Sequence, residues 1–158
     1  MSRRYLGLAC LVIAVLVAIA CGDDGDDDGL LTTLEIARMD GSSAKLRVEI
    51  ADTRAERVRG LANRASLAAD RGMLFVIEQR SSGFWMKDVA FDLSVAFLAR
   101  CGEILDIQDM EAGSLELHQS ATDYRFGLEV NRGWFAAAGL GAGDRVILPA
   151  GLSPADCP

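Results

Sequence analysis

The chain has 158 residues and a formal net charge of −7, and just over half of its residues are hydrophobic. Apart from a short apolar leader and an aspartate-rich stretch, about 130 residues remain, enough for one ordinary domain with its own core. That part carries 14 basic and 18 acidic residues, a net charge of −4, which argues against a nucleic-acid face.

Residues 1–20 read as a leader. Arg3 and Arg4 make a basic start, and Leu6 to Ala20 carries no charge. That run is too short for an ordinary membrane span of about 20 apolar residues and suits the apolar region of a signal peptide. It ends in "VAIAC", which resembles the lipobox of bacterial lipoproteins. The resemblance implies that Cys21 becomes the lipid-bearing first residue of an exported, membrane-anchored protein. A plain secretory signal or an uncleaved anchor would show the same apolar run.

Residues 21–29 follow as a tether, "CGDDGDDDG", which has no apolar surface to bury and is expected to stay solvated. Asp24, Asp26, Asp28 and Glu35 have the spacing of an EF-hand calcium loop. Such a loop lies between two helices, and none fits upstream here. No metal or cofactor is therefore assigned.

Residues 30–158 form the expected domain. "LTTLEIARM" and "AKLRVEIAD" flank Asp40-Gly41, a hairpin signal because glycine accepts positive φ at little cost. Thr53 and Glu56 have capping-box spacing, so a short helix is expected to start there, with Val58 and Leu61 on its apolar face. "GMLFVIE" reads as a strand buried on both faces, and a further strand is expected through "WMK". "LSVAFLA" and "EILDIQDM" form a second hairpin about Cys101-Gly102. "YRFGLEV" alternates Phe126, Leu128 and Val130 inward, "GWFAAAG" suits one helical turn, and "GDRVIL" makes a last strand. Seven or eight short strands with frequent turns predict a mainly β domain, a single compact sandwich or barrel of jelly-roll type with one or two short helices.

With Cys10 in the leader and Cys21 acylated, Cys101 and Cys157 are left as an even pair in an exported protein, which reads as one disulfide. Two free thiols, or a nucleophilic Cys101 activated by the lone His118, are the alternatives.

Three blocks resemble one family. "RGLANRASLAADRGMLFVI", "FWMKDVAFDLSVAFLARCGEI" and "LEVNRGWFAAAGLGAGDRVIL" are similar to the ordered signatures of the DUF192 (UPF0127) proteins. The resemblance runs from about Leu34 to Leu148 and implies a compact, mainly β fold of sandwich or jelly-roll type. It implies no activity. Family members commonly carry proline at the position of Asp92 and aspartate at that of Ser94, so a role tied to that aspartate does not transfer directly.

The candidate site comes from strand parity. Trp85 and Lys87 share one side of an extended segment, and Phe84 and Met86 share the other. Arg59, Asp92 and Glu129 sit at element ends or on the polar side of a strand. Together with Trp85 and Lys87 they are expected to line a cleft for a small molecule, a glycan or a partner protein. Two blander readings stand beside it: a core stretch with Lys87 reaching water past Trp85, or a structural Lys87–carboxylate pair. No catalytic motif for serine, metal, P-loop or dinucleotide chemistry is present. A hydrolase built on Asp92 and Glu129 is the enzymatic alternative.

Overall fold

A computed structural model of the chain describes residues 30–77 and 83–157. The leader, the lipidation candidate Cys21 and the tether with Asp24, Asp26 and Asp28 lie outside these residues. The strands are β1 (Thr32–Ala37), β2 (Ser43–Ala51), β3 (Arg71–Val76), β4 (Leu93–Leu98), β5 (Ile104–Met110), β6 (Phe126–Asn131) and β7 (Arg145–Ile147). Two short helices, α1 (Arg54–Arg59) and α2 (Trp134–Ala137), complete the fold. One seven-stranded sheet runs in the order β5-β4-β6-β3-β2-β1-β7. Only β2 and β3 are parallel, because α1 carries the chain back between them. Of the two arrangements predicted, the barrel-like one is observed: the sheet curls until its edge strands touch. Val146 donates to the Gly102 carbonyl and Ile104 to that of Asp144, both at 2.8 Å.

Strand alternation sorts the apolar residues into two cores. Ile36, Val48, Leu74, Ala96, Leu128 and Val146 fill the inside of the curl, closed by Phe135 of α2. Met73, Phe75, Val95 and Phe97 point to the opposite face and meet Phe84, Met86 and Leu61. The expected capping box is present, with Glu56 N donating to the Thr53 hydroxyl and Thr53 N donating to the Glu56 carboxylate. Val58 departs from expectation: it is 78% exposed, and Leu61 alone of that pair is buried. Six residues make too short a helix to bury a full stripe.

No strand forms through "WMK". Gly83 to Val89 crosses the second face as an irregular segment held by backbone bonds, among them one from Asn63 N to the Asp88 carbonyl at 2.8 Å. Phe84 and His118 exchange a pair, Met86 N reaches Ser114 O, and Gly113 N reaches Val89 O. The alternation survives without the ladder, because Phe84 and Met86 pack down on the sheet while Trp85 and Lys87 face out. Glu35, the last position of the calcium spacing, lies mid-strand in β1 opposite Lys45, where an EF-hand would need a helix.

Cys101 and Cys157 form a disulfide with a Cα–Cα distance of 5.4 Å, so Cys101 is no thiol nucleophile. The bridge closes a loop across a sequence separation of 56 and ties the tail to the turn where the curl shuts. A loop of that length predicts a loss of about 2–4 kcal/mol on Cys157→Ser. Thermal unfolding of wild type with and without reductant checks this. Wild type falls to the variant's midpoint when reduced, and the variant itself does not respond.

Candidate functional site

The second face carries an open cleft of about 860 Å³. Its floor is Glu129, which stands between its cross-strand neighbours Met73 on β3 and Val95 on β4. One pair along, Gly127 lies under Phe84. A Cβ at Gly127 would come within 2.2 Å of the Phe84 ring tip, so that ring can rest on the sheet only over a glycine. Phe84 is held there edge-on to Phe75 and Phe97, with ring centroids at 5.2 and 5.8 Å. The crossing segment thus covers Gly127 and leaves Glu129 at the base of the opening beside it.

A glutamate on the polar side of its strand ordinarily faces solvent or a partner cation. Glu129 does neither: it is only 5% exposed, and its carboxyl has no hydrogen bond or ion pair among the described residues. Burial pushes its pKa up to about 8, so the group is protonated at neutral pH and offers an O–H donor. An unpartnered buried carboxyl costs stability, and its neutral form is the cheaper one.

The walls come from α1 and the crossing segment. Arg54, Arg57 and Arg59 project from the helix, and Lys87 stands 5.7 Å from the centre of the Trp85 ring in a cation–π contact. Arg57 also donates to the Asp52 carbonyl. Arg54, Arg59 and Lys87 form no ion pair among the described residues, which removes the structural Lys87–carboxylate pair from consideration. Trp85 is 53% exposed and is therefore wall, not core. Exposed Val58 and Leu117 complete an apolar lip.

Four of the five residues selected by strand parity, Arg59, Trp85, Lys87 and Glu129, line this one cleft. Asp92 is not among the lining residues. Its carboxylate accepts from Ala112 N at 2.9 Å and pairs with Arg132 at 3.4 Å. The Ala112 bond and the Arg132 guanidinium hold its pKa below the ordinary carboxylate value. Arg132 also bonds Asp109, which accepts the Ser94 hydroxyl at 2.6 Å. This network ties the end of β6 to the β4–β5 pair. The Asp92–Glu129 pairing that a two-carboxylate hydrolase requires is thus not gathered in the cleft. Sequence reasoning missed Arg54, Val58 and Leu117. Three arginines within the six-residue "RAERVR" helix were the available signal for the first.

Among the described residues no group of histidine, cysteine, aspartate or glutamate side chains could hold a metal ion. No described helix is long and apolar enough to cross a membrane.

No curated protein matches the sequence. A crystal structure from Sinorhizobium meliloti 1021, provisionally described as a transcription regulator, matches with a TM-score of 0.69 at 29% identity, over 72% of this chain and 90% of that one. A protein of unknown function from Novosphingobium aromaticivorans DSM 12444 also matches with a TM-score of 0.69, at 25% identity, over 75% and 85% of the two chains. The DUF192 family model, described as "Uncharacterized ACR", matches residues 35–148. With that match spanning most of the chain and both cores, the protein belongs to the DUF192 family.

Proposed function

We propose that this is an exported, lipid-anchored binding domain, tethered through Cys21, that takes a small molecule, a glycan or a partner protein in the cleft over Glu129. The carrying observation is the buried, unpartnered Glu129 carboxyl at the base of an opening walled by Trp85, Lys87 and Arg59. A polar group left unmatched in the free protein gains most from a ligand that matches it. The charged leader, the apolar run and the cysteine at its end support export and anchoring. Transcription regulation, the description of the Sinorhizobium relative, suits this chain poorly, given 18 acidic against 14 basic residues in the domain. The hydrolase alternative lacks its second carboxylate at the cleft.

Thermal-shift screening against envelope glycans and metabolites tests the reading. A true ligand present at about 100 times its Kd adds about 2.7 kcal/mol of stability. Trp85→Ala abolishes that shift and leaves the unliganded midpoint nearly unchanged, because the indole is half exposed. A library that moves neither protein's midpoint contradicts the proposal.

A further inference from the structure

Resting on that binding reading, we propose that the cleft takes a small anion, a carboxylate or phosphate borne on a flat or apolar body, with Glu129 as its hydrogen-bond donor and Arg54, Arg59 and Lys87 supplying the countercharge. The inventory of the walls carries the argument. Among the described residues, and apart from Glu129, the polar side chains that line the cleft are Arg54, Arg57, Arg59, Lys87 and the indole of Trp85, all of them donors. Among the described residues no aspartate, asparagine, glutamine, serine or threonine lines it to accept a ligand's proton. A neutral sugar, rich in hydroxyl donors, would meet mostly cations and apolar carbon among these residues. A cationic ligand would meet the like charges of Arg54, Arg59 and Lys87. An acceptor-rich anion fits every one of these groups. Trp85, Val58 and Leu117 then give its body an apolar surface to lie against.

Glu129 fits only in its protonated form, since its carboxylate would repel the anion it otherwise binds. Among the described residues Arg54, Arg57 and Arg59 line the same cleft from α1, and Lys87 lines it from the crossing segment. On β3, Arg71 lies two residues from Met73 on the same side of the strand, and beyond Met73 on β2 stands Glu49, in a bidentate pair with Arg64 at 2.5 and 2.7 Å. On β4 the residues facing Glu129's side are Leu93, Val95 and Phe97, none of them charged. Burial raises its pKa, so desolvation governs its proton.

Calorimetry on the full-length protein with benzoate, benzamide, benzylammonium and phenyl phosphate tests the inference. At pH 6.5 benzoate and phenyl phosphate are expected to bind at least about tenfold more tightly than benzamide or benzylammonium, as charge-assisted bonds allow. Arg59→Ala and Lys87→Ala each weaken benzoate about tenfold and leave benzamide unchanged. Raising the pH to 9 weakens benzoate about tenfold in wild type, because Glu129 has lost its proton, and Glu129→Gln shows no such loss. Dihexanoylphosphatidylglycerol, compared with dihexanoylphosphatidylcholine and phenyl phosphate, separates two sources of the same chemistry. Preference for the anionic lipid points to a lipid headgroup, and preference for phenyl phosphate points to a free metabolite. Benzamide or benzylammonium binding as tightly as benzoate overturns the anion assignment and leaves the binding cleft standing. Silence toward every probe removes both.

Discussion

Glu129→Gln is expected to stabilise the protein at alkaline pH and to leave it nearly unchanged in mild acid. The Glu129 carboxyl has an ordinary value of 4.5 and a folded value of about 8. Between those values the folded protein holds a proton that the unfolded chain has released. Stability therefore falls as pH rises from 4.5 to 8 and levels off above. At about 1.4 kcal/mol per unit, the full loss is on the order of 4–5 kcal/mol. Glutamine keeps the shape and the donor but has no proton to lose. Denaturant titration at pH 5 and pH 9 reads the difference: near-equal stabilities at the lower pH, and a gain of several kcal/mol for the variant at the higher. Equal effects at both would mean that the carboxyl is solvated or paired. The exposed carboxylates work in the opposite direction. Asp92, whose pKa is held down by Ala112 N and Arg132, contributes stability that disappears as pH falls through the acid range.

Phe84→Ala is expected to cost about 3–5 kcal/mol, in the usual range for deleting a buried aromatic ring. The ring meets Phe75, Phe97 and Tyr124 and fills the space over Gly127. Its loss also loosens the segment that presents Trp85 and Lys87, so ligand affinity should fall along with stability. Gly127→Ala attacks the same contact from below and costs about 1–3 kcal/mol by forcing the ring upward. The two changes are strongly coupled. In the Phe84→Ala background the methyl group at 127 has room, and Gly127→Ala should then cost little. Additive losses measured by denaturant unfolding would mean that Phe84 does not rest on Gly127.

Local chemistry made much of this fold legible in sequence. Asp40-Gly41 forms the β1–β2 turn, Thr53 and Glu56 cap α1, and Phe126, Leu128 and Val130 enter the inner core as alternation requires. Each of these signals acts within a few residues. Partnership in a ladder does not. Phe84 to Lys87 has strand-like alternation, yet only a single bridge to His118 is available to it, so it stays irregular. Glu129 shows the same limit more sharply. Parity placed it opposite Phe126 and Leu128, but parity cannot tell whether that opposite face is wet. Segments far away in the chain, α1 and Gly83 to Val89, wall that face and decide it. Asp92 failed for a related reason: its partners, Ala112 and Arg132, are 20 and 40 residues away, and they draw it into a structural network.

The central claim is a neutral, unmatched carboxyl waiting at the base of the cleft. Titrating the Glu129 side-chain carboxyl by ¹³C nuclear magnetic resonance, with Glu129→Gln to assign the signal, tests it most directly. The account predicts an inflection near pH 8 that moves higher when an anionic ligand such as benzoate is added. An inflection near the ordinary 4.5, unmoved by any ligand, would show that the group is solvated and that the cleft has no such floor.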